Sequence, residues 1–123
     1  AFLPFCRKAR LAQCLNPWTA ELPDDFSFLP RTWVLPADAA DLEAAVTTSK
    51  DTFIAKPTAG SQGKGIVLGK KWKDLSDVVQ KSKAAWSAAE YVVQRYIVNP
   101  LLLDGLKFDL RLYVVVTSVV PLR

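Results

Sequence analysis

The sequence predicts an α+β fold in which helices pack on a largely antiparallel sheet. Residues 53–69 consist of two short runs rich in Ile, Val and Leu on either side of a glycine-rich loop, as expected of two adjacent strands. Stretches with helical periodicity precede and follow this unit. With 50% hydrophobic and 23% charged residues among 123, the composition is that of a soluble globular chain of at most one domain.

The N-terminal part is predicted to be helical and connecting structure. Residues 7–15 carry four apolar residues near helical spacing, Ala9, Leu11, Ala12 and Leu15. We expect this helix to end at Asn16, because a residue before proline, here Pro17, avoids the helical backbone conformation. Residues 21–36 follow as a connector rich in Pro, Asp and aromatic residues, with a short strand at 31–36.

The next elements are two helices with a pair of strands between them. A helix is predicted over residues 37–46, where Asp38 is the expected N-cap and Ala, Leu and Glu favour helix. Strands at 52–56 and 65–69 flank the glycine loop. A further helix over 70–86 is amphipathic, and its predicted inward residues are Leu75, Val78, Val79, Ala85 and Trp86.

Two more strands are predicted towards the C-terminus. The first covers residues 91–97, with buried side chains at Val92, Val93 and Ile97. A loop over 98–105 leads to a long strand over 106–120. Alternation along that strand sends its charged residues to one face and its apolar residues to the other. The charged face consists of Lys107, Asp109 and Arg111, and the apolar face begins with Phe108, Leu110 and Leu112.

Several kinds of chemistry are excluded by the residue types. The chain has no His and only two cysteines, Cys6 and Cys14, so neither a zinc site nor a Ser-His or Cys-His nucleophile is expected. The thiols are predicted to be small buried hydrophobes in a reducing compartment. The net charge of +4 favours anionic partners or reflects a solvated basic face. No membrane span or secretory signal is recognisable, so we expect an intracellular chain.

The glycine loop has the spacing typical of a phosphate-binding turn. Gly60, Gly63 and Gly65 form a G-x-x-G-x-G pattern, which lets the backbone adopt positive φ and bring its amides close to a ligand. Lys56 enters the loop and Lys64 lies near its tip, so two cations flank the glycines. The pattern is neither a Walker A motif nor a dinucleotide fingerprint. A flexible hairpin with solvated lysines is the alternative.

A polar pair, Gln94 and Arg95, interrupts the strand over 91–97. A strand end that offers an amide side chain and backbone groups beside apolar residues suits the edge of an adenine base. The alternative for this segment is an ordinary strand with two exposed polar residues. For the charged face of the strand over 106–120, the alternative is a face exposed to solvent whose charges neutralise one another. Taken together, the loop, the strand end and the charged face predict one nucleotide site.

Three segments carry a family resemblance. They are "FLPRTWVLP", "FIAKPTAGSQGKGI" and "VVQRYIVNPLLLDGLKFDLRLYVVVTSVVPLR". They resemble the tubulin tyrosine ligase-like family, ATP-grasp ligases that attach amino acids, most often glutamate, to tubulin and other proteins. "GSQGKGI" and "VVQRY" are most similar to its glutamylase branch. The resemblance implies a fragment of an ATP-grasp fold, with residues 1–50 as the N-terminal helical and connector part of the ligase domain. Residues 51–123 would be the central nucleotide-binding part, without the C-terminal catalytic portion.

Site roles follow from the same resemblance. Lys56 and Arg111 are implied as catalytic, with Arg111 aimed at the transferring phosphate. Gln94 is implied to receive adenine, and Lys107 and Asp109 to border the base and the ribose. The full set implied to bind the nucleotide is Lys56, Gln62, Gly63, Lys64, Gly65, Ile66, Gln94, Arg95, Tyr96, Ile97, Lys107 and Asp109.

By the resemblance, the γ-phosphate of ATP phosphorylates a carboxylate, and the amine of free glutamate attacks the acyl phosphate to give an amide or isopeptide bond. Tubulin or microtubules are the implied partner, with no nucleic acid and no membrane. The implied location is the cytoplasm, at the cytoskeleton, a ciliary or flagellar basal body or an axoneme. Mg²⁺ is also implied, but its ligands are expected downstream of Arg123, so the isolated chain is predicted to be inactive.

Two other functions are weighed against the ligase. A non-catalytic tubulin-binding scaffold that keeps the fold is opposed by the retained site residues. A basic nucleic-acid-binding module is opposed by the aromatic residues Tyr96, Phe108 and Tyr113, which fall at apolar strand positions predicted to be core.

Overall fold

The computed structural model describes residues 6–59, 62–84, 90–118 and 120. Within these ranges the elements are α1 (Lys8–Glu21), β1 (Thr32–Leu35), α2 (Ala39–Thr48), β2 (Phe53–Pro57), β3 (Val67–Gly69), α3 (Trp72–Ala84), β4 (Tyr91–Arg95), β5 (Leu102–Leu103) and β6 (Leu106–Lys107). One sheet has four strands in the order β1, β4, β2, β3, with every pair antiparallel. Strands β5 and β6 form a separate antiparallel pair. The predicted α+β fold with an antiparallel sheet is confirmed. None of the helices in these ranges is both long and apolar enough to cross a membrane.

One face of the four-stranded sheet carries the main core. Successive side chains of a strand lie on opposite faces, so alternate residues of β1, β2 and β4 meet on this side. Trp33 and Phe53 are fully buried there, with their ring centroids 5.8 Å apart. Helices α2 and α3 cover this face with Leu42, Val46, Leu75, Val78 and Val79. The core therefore forms between the sheet and these two helices.

The opposite face of the sheet is partly covered by α1. Ala9 and Ala12 of this helix are buried against Val34 of β1 and Val92 of β4. Small side chains at these positions let the helix approach the sheet closely. The polar residues of the same sheet face lie beside this contact.

Helix α1 is longer than predicted, because it continues through Pro17 to Glu21. A proline inside a helix loses one backbone hydrogen bond. Other bonds hold the last turn: Nδ2 of Asn16 donates to the carbonyl of Thr32 at 2.9 Å, and Oγ1 of Thr19 donates to the carbonyl of Asn16 at 2.7 Å. The expected end at Asn16 was wrong because these contacts offset the cost of the proline.

The prediction that the two cysteines are buried was also wrong. Cys6 and Cys14 are both exposed. Cys6 lies before the first turn of α1. Cys14 follows the inward-facing Ala12 by two residues, which places it about 200° around the helix, away from the sheet.

Helix α2 starts after Asp38, as predicted, but the carboxylate of this residue does not cap it. Oδ2 of Asp38 instead accepts a hydrogen bond from the backbone N–H of Val34 at 2.7 Å. One turn further, Oδ2 of Asp41 accepts from Nη2 of Arg31 and from Nε1 of Trp33, each at 2.7 Å. Both carboxylates therefore tie the helix to β1.

Helix α3 was predicted over 70–86 and starts two residues later, at Trp72, with its described part reaching Ala84. Its predicted inward residues Leu75, Val78 and Val79 are buried. Two further residues predicted to face inward, Ala85 and Trp86, lie outside the described residues. At the start of α3, the Asp74 carboxylate accepts two backbone N–H bonds from the lysines just before the helix, both 3.0 Å long. These bonds are the main cause that lowers the pKa of Asp74.

The long strand predicted over 106–120 does not form in the described residues of that segment, of which Leu106–Lys107 alone are in a strand, within a small hairpin. Residues 108–118 have no regular secondary structure. The exposed fractions of Leu110, Leu112 and Tyr113 are 77%, 79% and 85%, so no apolar face forms and Tyr113 is not core. A strand needs a neighbour for its backbone N–H and C=O groups, and no strand in the described part of the chain pairs with this segment.

Strand β4 likewise ends earlier than predicted. It stops at Arg95, whereas the prediction extended to residue 97. Val92 and Val93 are buried as predicted, but Ile97 is 63% exposed. The neighbouring strands explain this end, because the last pairs of β4 join Gln94 to β1 and Arg95 to β2. Beyond them the chain leaves the sheet.

Candidate functional site

Three polar side chains form a row across the sheet face that α1 partly covers. We call Thr32, Gln94 and Lys56 the polar row. Thr32 of β1 pairs directly with Gln94 of β4. On the other side of β4, Gln94 pairs with Ile54 of β2, and Lys56 lies two residues further along β2 on the same sheet face. Nζ of Lys56 donates to Oε1 of Gln94 at 3.0 Å, and Nε2 of Gln94 donates to Oγ1 of Thr32 at 2.9 Å. The antiparallel register therefore joins residues that are far apart in sequence.

A cavity of about 280 Å³, which we call the strand-end cavity, opens where β4 leaves the sheet. It is lined by Pro30, Ile54, Lys56, Gln94, Arg95, Tyr96, Ile97, Pro100 and Lys107. Six of these residues belong to the predicted nucleotide-binding set, so the structure brings them together. The backbone N–H of Tyr96 donates to the carbonyl of Thr52 at 2.7 Å and is therefore engaged within the protein.

Two charged side chains border the strand-end cavity differently. Nζ of Lys107 lies 5.5 Å from the ring centroid of Tyr96 and 3.5 Å from its hydroxyl oxygen. Nε of Arg95 lies 3.1 Å from Oδ2 of Asp51, and both side chains are about half exposed. Lys107 is thus held over an aromatic face, where the ring attracts its charge. Arg95 is paired with Asp51, which lies just before the central strand β2.

A second cavity, of about 190 Å³, lies between the glycine loop and α1, and we call it the glycine-loop cavity. It is lined by Lys8, Lys56, Pro57, Gln62, Gly63, Lys64 and Ile66. Three lysines and no carboxylate thus line it among the described residues. An anion with several oxygens would be stabilised there, because each ammonium group offers a positive charge and N–H donors.

The loop backbone has the conformation that its glycines allow. Gly63 and Gly65 both have φ of +73°, as predicted, and Gln62 also has positive φ, at 59°. A Cβ on Gly65 would lie 3.0 Å from Cγ of Pro57, whereas one on Gly63 would meet nothing within 4 Å. Gly65 is therefore required for both conformation and close approach. Gly60 lies outside the described residues.

Lys56 is the residue that both cavities share. Partial burial lowers the pKa of its ammonium group, and the nearby charges of Lys8 and Lys107 lower it further. Three cations therefore face one another across the site. An anionic ligand would relieve this repulsion.

Lys8 was missed by the sequence analysis, which treated α1 only as a packing helix. Its Nζ donates to the carbonyl of Pro57 at 3.3 Å, and its side chain lines the glycine-loop cavity beside Lys56. A signal was available, because Arg7 and Lys8 put positive charge at the N-terminus of a helix, where the helix dipole disfavours cations. Such an unfavourable placement indicates a role other than helix stability.

Asp109 and Arg111 are not brought to these cavities. Both are exposed, on the segment after Lys107 that has no regular structure, and neither lines the strand-end or the glycine-loop cavity. The prediction that they share one strand face with Lys107 was wrong because that strand is absent. Within the described ranges no group of three or more His, Cys, Asp or Glu side chains is arranged to hold a metal ion.

Comparison with known proteins identifies relatives of the chain. Residues 4–123 match the model of the family described as "Tubulin-tyrosine ligase family". The chain is 42% identical over 119 residues to tubulin polyglutamylase TTLL6 of Mus musculus, covering 96% of this chain and 13% of that protein. It is 41% identical over 120 residues to a probable beta-tubulin polyglutamylase of Tetrahymena thermophila, covering 95% of this chain and 9% of the relative. Tubulin polyglutamylase TTLL7 of Homo sapiens is 37% identical to it over 123 residues, covering 96% of this chain and 13% of the relative.

The chain thus spans a small part of the length of the curated relatives it matches. The match extends over nearly all of its own residues, including both cavities and the polar row. The chain belongs to the tubulin-tyrosine ligase family.

Proposed function

We propose that the full-length protein is an ATP-dependent ligase that adds glutamate to tubulin, and that this chain contributes part of its nucleotide site. The relatives are tubulin polyglutamylases by name, and the chain covers 13% of the first of them. The proposal therefore extends from this segment to the whole protein. Its support is the family membership together with the chemistry of the two cavities.

The observation that carries the proposal is the glycine-loop cavity with Lys8, Lys56 and Lys64 around it. The adjacent strand-end cavity has apolar walls and the aromatic ring of Tyr96, which suit a flat base. Because Lys56 borders both cavities, a nucleotide with its base at the strand end would carry its phosphates past this ammonium group into the loop. The size and charge of the paired cavities fit a nucleoside triphosphate.

The proposed reaction has two steps. A glutamate carboxylate of tubulin attacks the γ-phosphorus of ATP, which forms an acyl phosphate and releases ADP. The amine of free glutamate then attacks the acyl carbon, which forms an isopeptide bond, releases phosphate and loses a proton. Charge on the phosphoryl oxygens rises during transfer, so positioned cations are the main contribution that the protein makes. Lys56 and Lys64 would supply these charges from this chain. The family resemblance alone suggests Arg111 at the transferring phosphate, since this residue lines neither cavity.

We further propose that Mg²⁺ accompanies ATP, since it neutralises the phosphates in reactions of this kind. The resemblance suggests that its ligands lie elsewhere in the full-length protein, since the described residues hold no group of three or more His, Cys, Asp or Glu side chains that could bind a metal ion. A tubulin substrate also implies that the protein works in the cytoplasm at the cytoskeleton.

Glutamate incorporation tests this proposal. The full-length protein is incubated with tubulin, Mg²⁺ and radiolabelled glutamate, with and without ATP. We expect ATP-dependent label in tubulin, and a loss on the order of 100-fold in Arg111→Ala if this guanidinium stabilises the transferring phosphate. Arg10→Ala is the matched control, because that exposed side chain donates to Oε1 of Gln13 within α1 and lines neither cavity. Absence of ATP-dependent incorporation would refute the proposed function.

A further inference from the structure

We propose that Thr32 is a positioning residue, which fixes the orientation of the Gln94 amide and thereby holds the ammonium group of Lys56 between the two cavities. The consequence for nucleotide binding rests on the proposed function. The orientation itself rests only on the hydrogen bonds of the polar row.

Thr32 is held rigidly at the end of the polar row. It is 9% exposed and pairs with Gln94 in the antiparallel register of β1 and β4. Its backbone carbonyl accepts a hydrogen bond from Nδ2 of Asn16 on α1 at 2.9 Å. Its hydroxyl lies 2.9 Å from the carbonyl oxygen of Pro30. Backbone, helix and connector therefore all restrict its position.

The direction of each hydrogen bond in the row follows from the donors available. A hydroxyl has a single proton, and the carbonyl of Pro30 can only accept, so Thr32 donates to Pro30. The lone pairs of Oγ1 are then left to accept from Nε2 of Gln94. This bond turns Oε1 of Gln94 towards Lys56, whose ammonium group can only donate. One hydroxyl thus determines which end of the amide faces the lysine.

This orientation matters because Lys56 is in an unfavourable place for a cation. Its charge is partly desolvated and lies near Lys8 and Lys107. The carbonyl oxygen of Gln94 is the acceptor that offsets part of that cost. If the amide were reversed, its N–H₂ group would face the ammonium group, and Lys56 would be repelled from the junction. Thr32 therefore acts on the site through Gln94 without lining the strand-end or the glycine-loop cavity.

The test compares Thr32→Val, which keeps the shape but removes the hydroxyl, with Thr32→Ser, which keeps the hydroxyl. Gln94→Ala and the double variant Thr32→Val with Gln94→Ala complete a cycle in the full-length protein. Thr47→Val is the matched control, since its exposed hydroxyl bonds within α2, to the carbonyl of Glu43. Two quantities are measured: the Kd for ATP, and the rate at which acetic anhydride acetylates Lys56 at fixed pH, followed by mass spectrometry.

We expect Thr32→Val to raise the Kd for ATP about tenfold, because a reversed Gln94 amide would lose its hydrogen bond to the charged Lys56. Acetylation of Lys56 should be about threefold faster or more, because a lost bond to the charged form lowers the pKa and enlarges the neutral fraction. Thr32→Ser and Thr47→Val should stay within about twofold of wild type on both measures. The double variant should equal Gln94→Ala, because Thr32 acts through that residue.

Three results would overturn the proposal. Thr32→Val could leave both quantities unchanged, Thr32→Ser could fail to restore them, or the double variant could show the full sum of the single losses. If the wild type bound no ATP at all, the proposed function would fail, but the acetylation rates would still decide the role of Thr32. The two failures are therefore distinguishable.

Discussion

Replacing Lys56 with methionine should weaken ATP binding without destabilising the folded protein. The methionine keeps an unbranched apolar stem of similar length but removes the ammonium group. A hydrogen bond to a charged partner contributes about 1.5–3 kcal/mol. At about 1.4 kcal/mol for each factor of ten, the Kd for ATP should rise roughly 10- to 100-fold.

The unliganded protein should respond differently, because two effects on its stability oppose each other. Loss of the donor leaves Oε1 of Gln94 unpaired, which costs about 1 kcal/mol. Loss of the charge removes an ammonium group whose pKa lies below its usual 10.5 because of burial and of Lys8 and Lys107. The free energy of unfolding of the unliganded Lys56→Met variant should therefore lie within about 1 kcal/mol of the wild-type value.

The sign of the pH dependence follows from the lowered pKa. Between the folded pKa of Lys56 and 10.5, the unfolded state binds more protons than the folded state. The stability of the wild type therefore gains a contribution from this group as the pH rises through that window, and the cost is fully present below it. Lys56→Met should lack this gain.

Isothermal titration with ATP and thermal unfolding without nucleotide measure the two effects on the full-length protein. Lys81→Met is the matched control, because that lysine lies in the last turn of α3 on its exposed side. An affinity within twofold of wild type in Lys56→Met would refute the reasoning. So would a large fall in thermal stability that accompanies the loss of binding, since the residue would then be structural.

Two further predictions concern the structure around the site. Phe53→Ala should lower the free energy of unfolding by about 3–5 kcal/mol, measured by urea titration, because the ring is fully buried in the core. Phe28→Ala, at a ring that is 73% exposed, should change it by less than about 0.5 kcal/mol, and equal effects would contradict the assigned core. Gly65→Ala should weaken ATP binding more than Gly63→Ala in titrations, because both glycines have positive φ but only the first would bring a Cβ to 3.0 Å from Pro57. Equal losses would contradict the close approach in the loop.

The sequence pattern predicted the structure correctly where the structure depends on residues that are close in sequence. The strands on either side of the glycine loop, the amphipathic helix α3 and the positive φ of Gly63 and Gly65 all follow from local spacing. The buried positions Leu75, Val78 and Val79 followed from helical periodicity for the same reason. These features need no knowledge of the rest of the fold.

The remaining features depend on contacts between distant residues. Helix α1 continues through Pro17 because Asn16 is anchored on β1, and no local signal shows that bond. Lys56 and Gln94 meet only through the pairing of β2 with β4, 38 residues apart. The polar character of both residues was visible in the sequence, but their mutual hydrogen bond was not. Lys8 joins the site through the packing of α1, which the helical pattern alone could not orient.

The prediction of a strand over 106–120 was wrong for a related reason. Alternation over 106–120 predicts a strand only if another strand is available to pair with it. In the described residues the alternating segment has no such neighbour, so Asp109 and Arg111 are exposed and do not share a face with Lys107. Their roles at a nucleotide remain predictions from the family resemblance.

The proposed site requires one nucleotide to occupy both cavities, with its phosphates among Lys8, Lys56 and Lys64. The most direct test is ATP-dependent protection of lysines from acetylation in the full-length protein, measured residue by residue by mass spectrometry. Saturating ATP should slow the acetylation of these three lysines and leave Lys81 unchanged. If ATP binds and the acetylation of all three lysines is unaltered, the phosphates lie elsewhere and the proposed site is wrong.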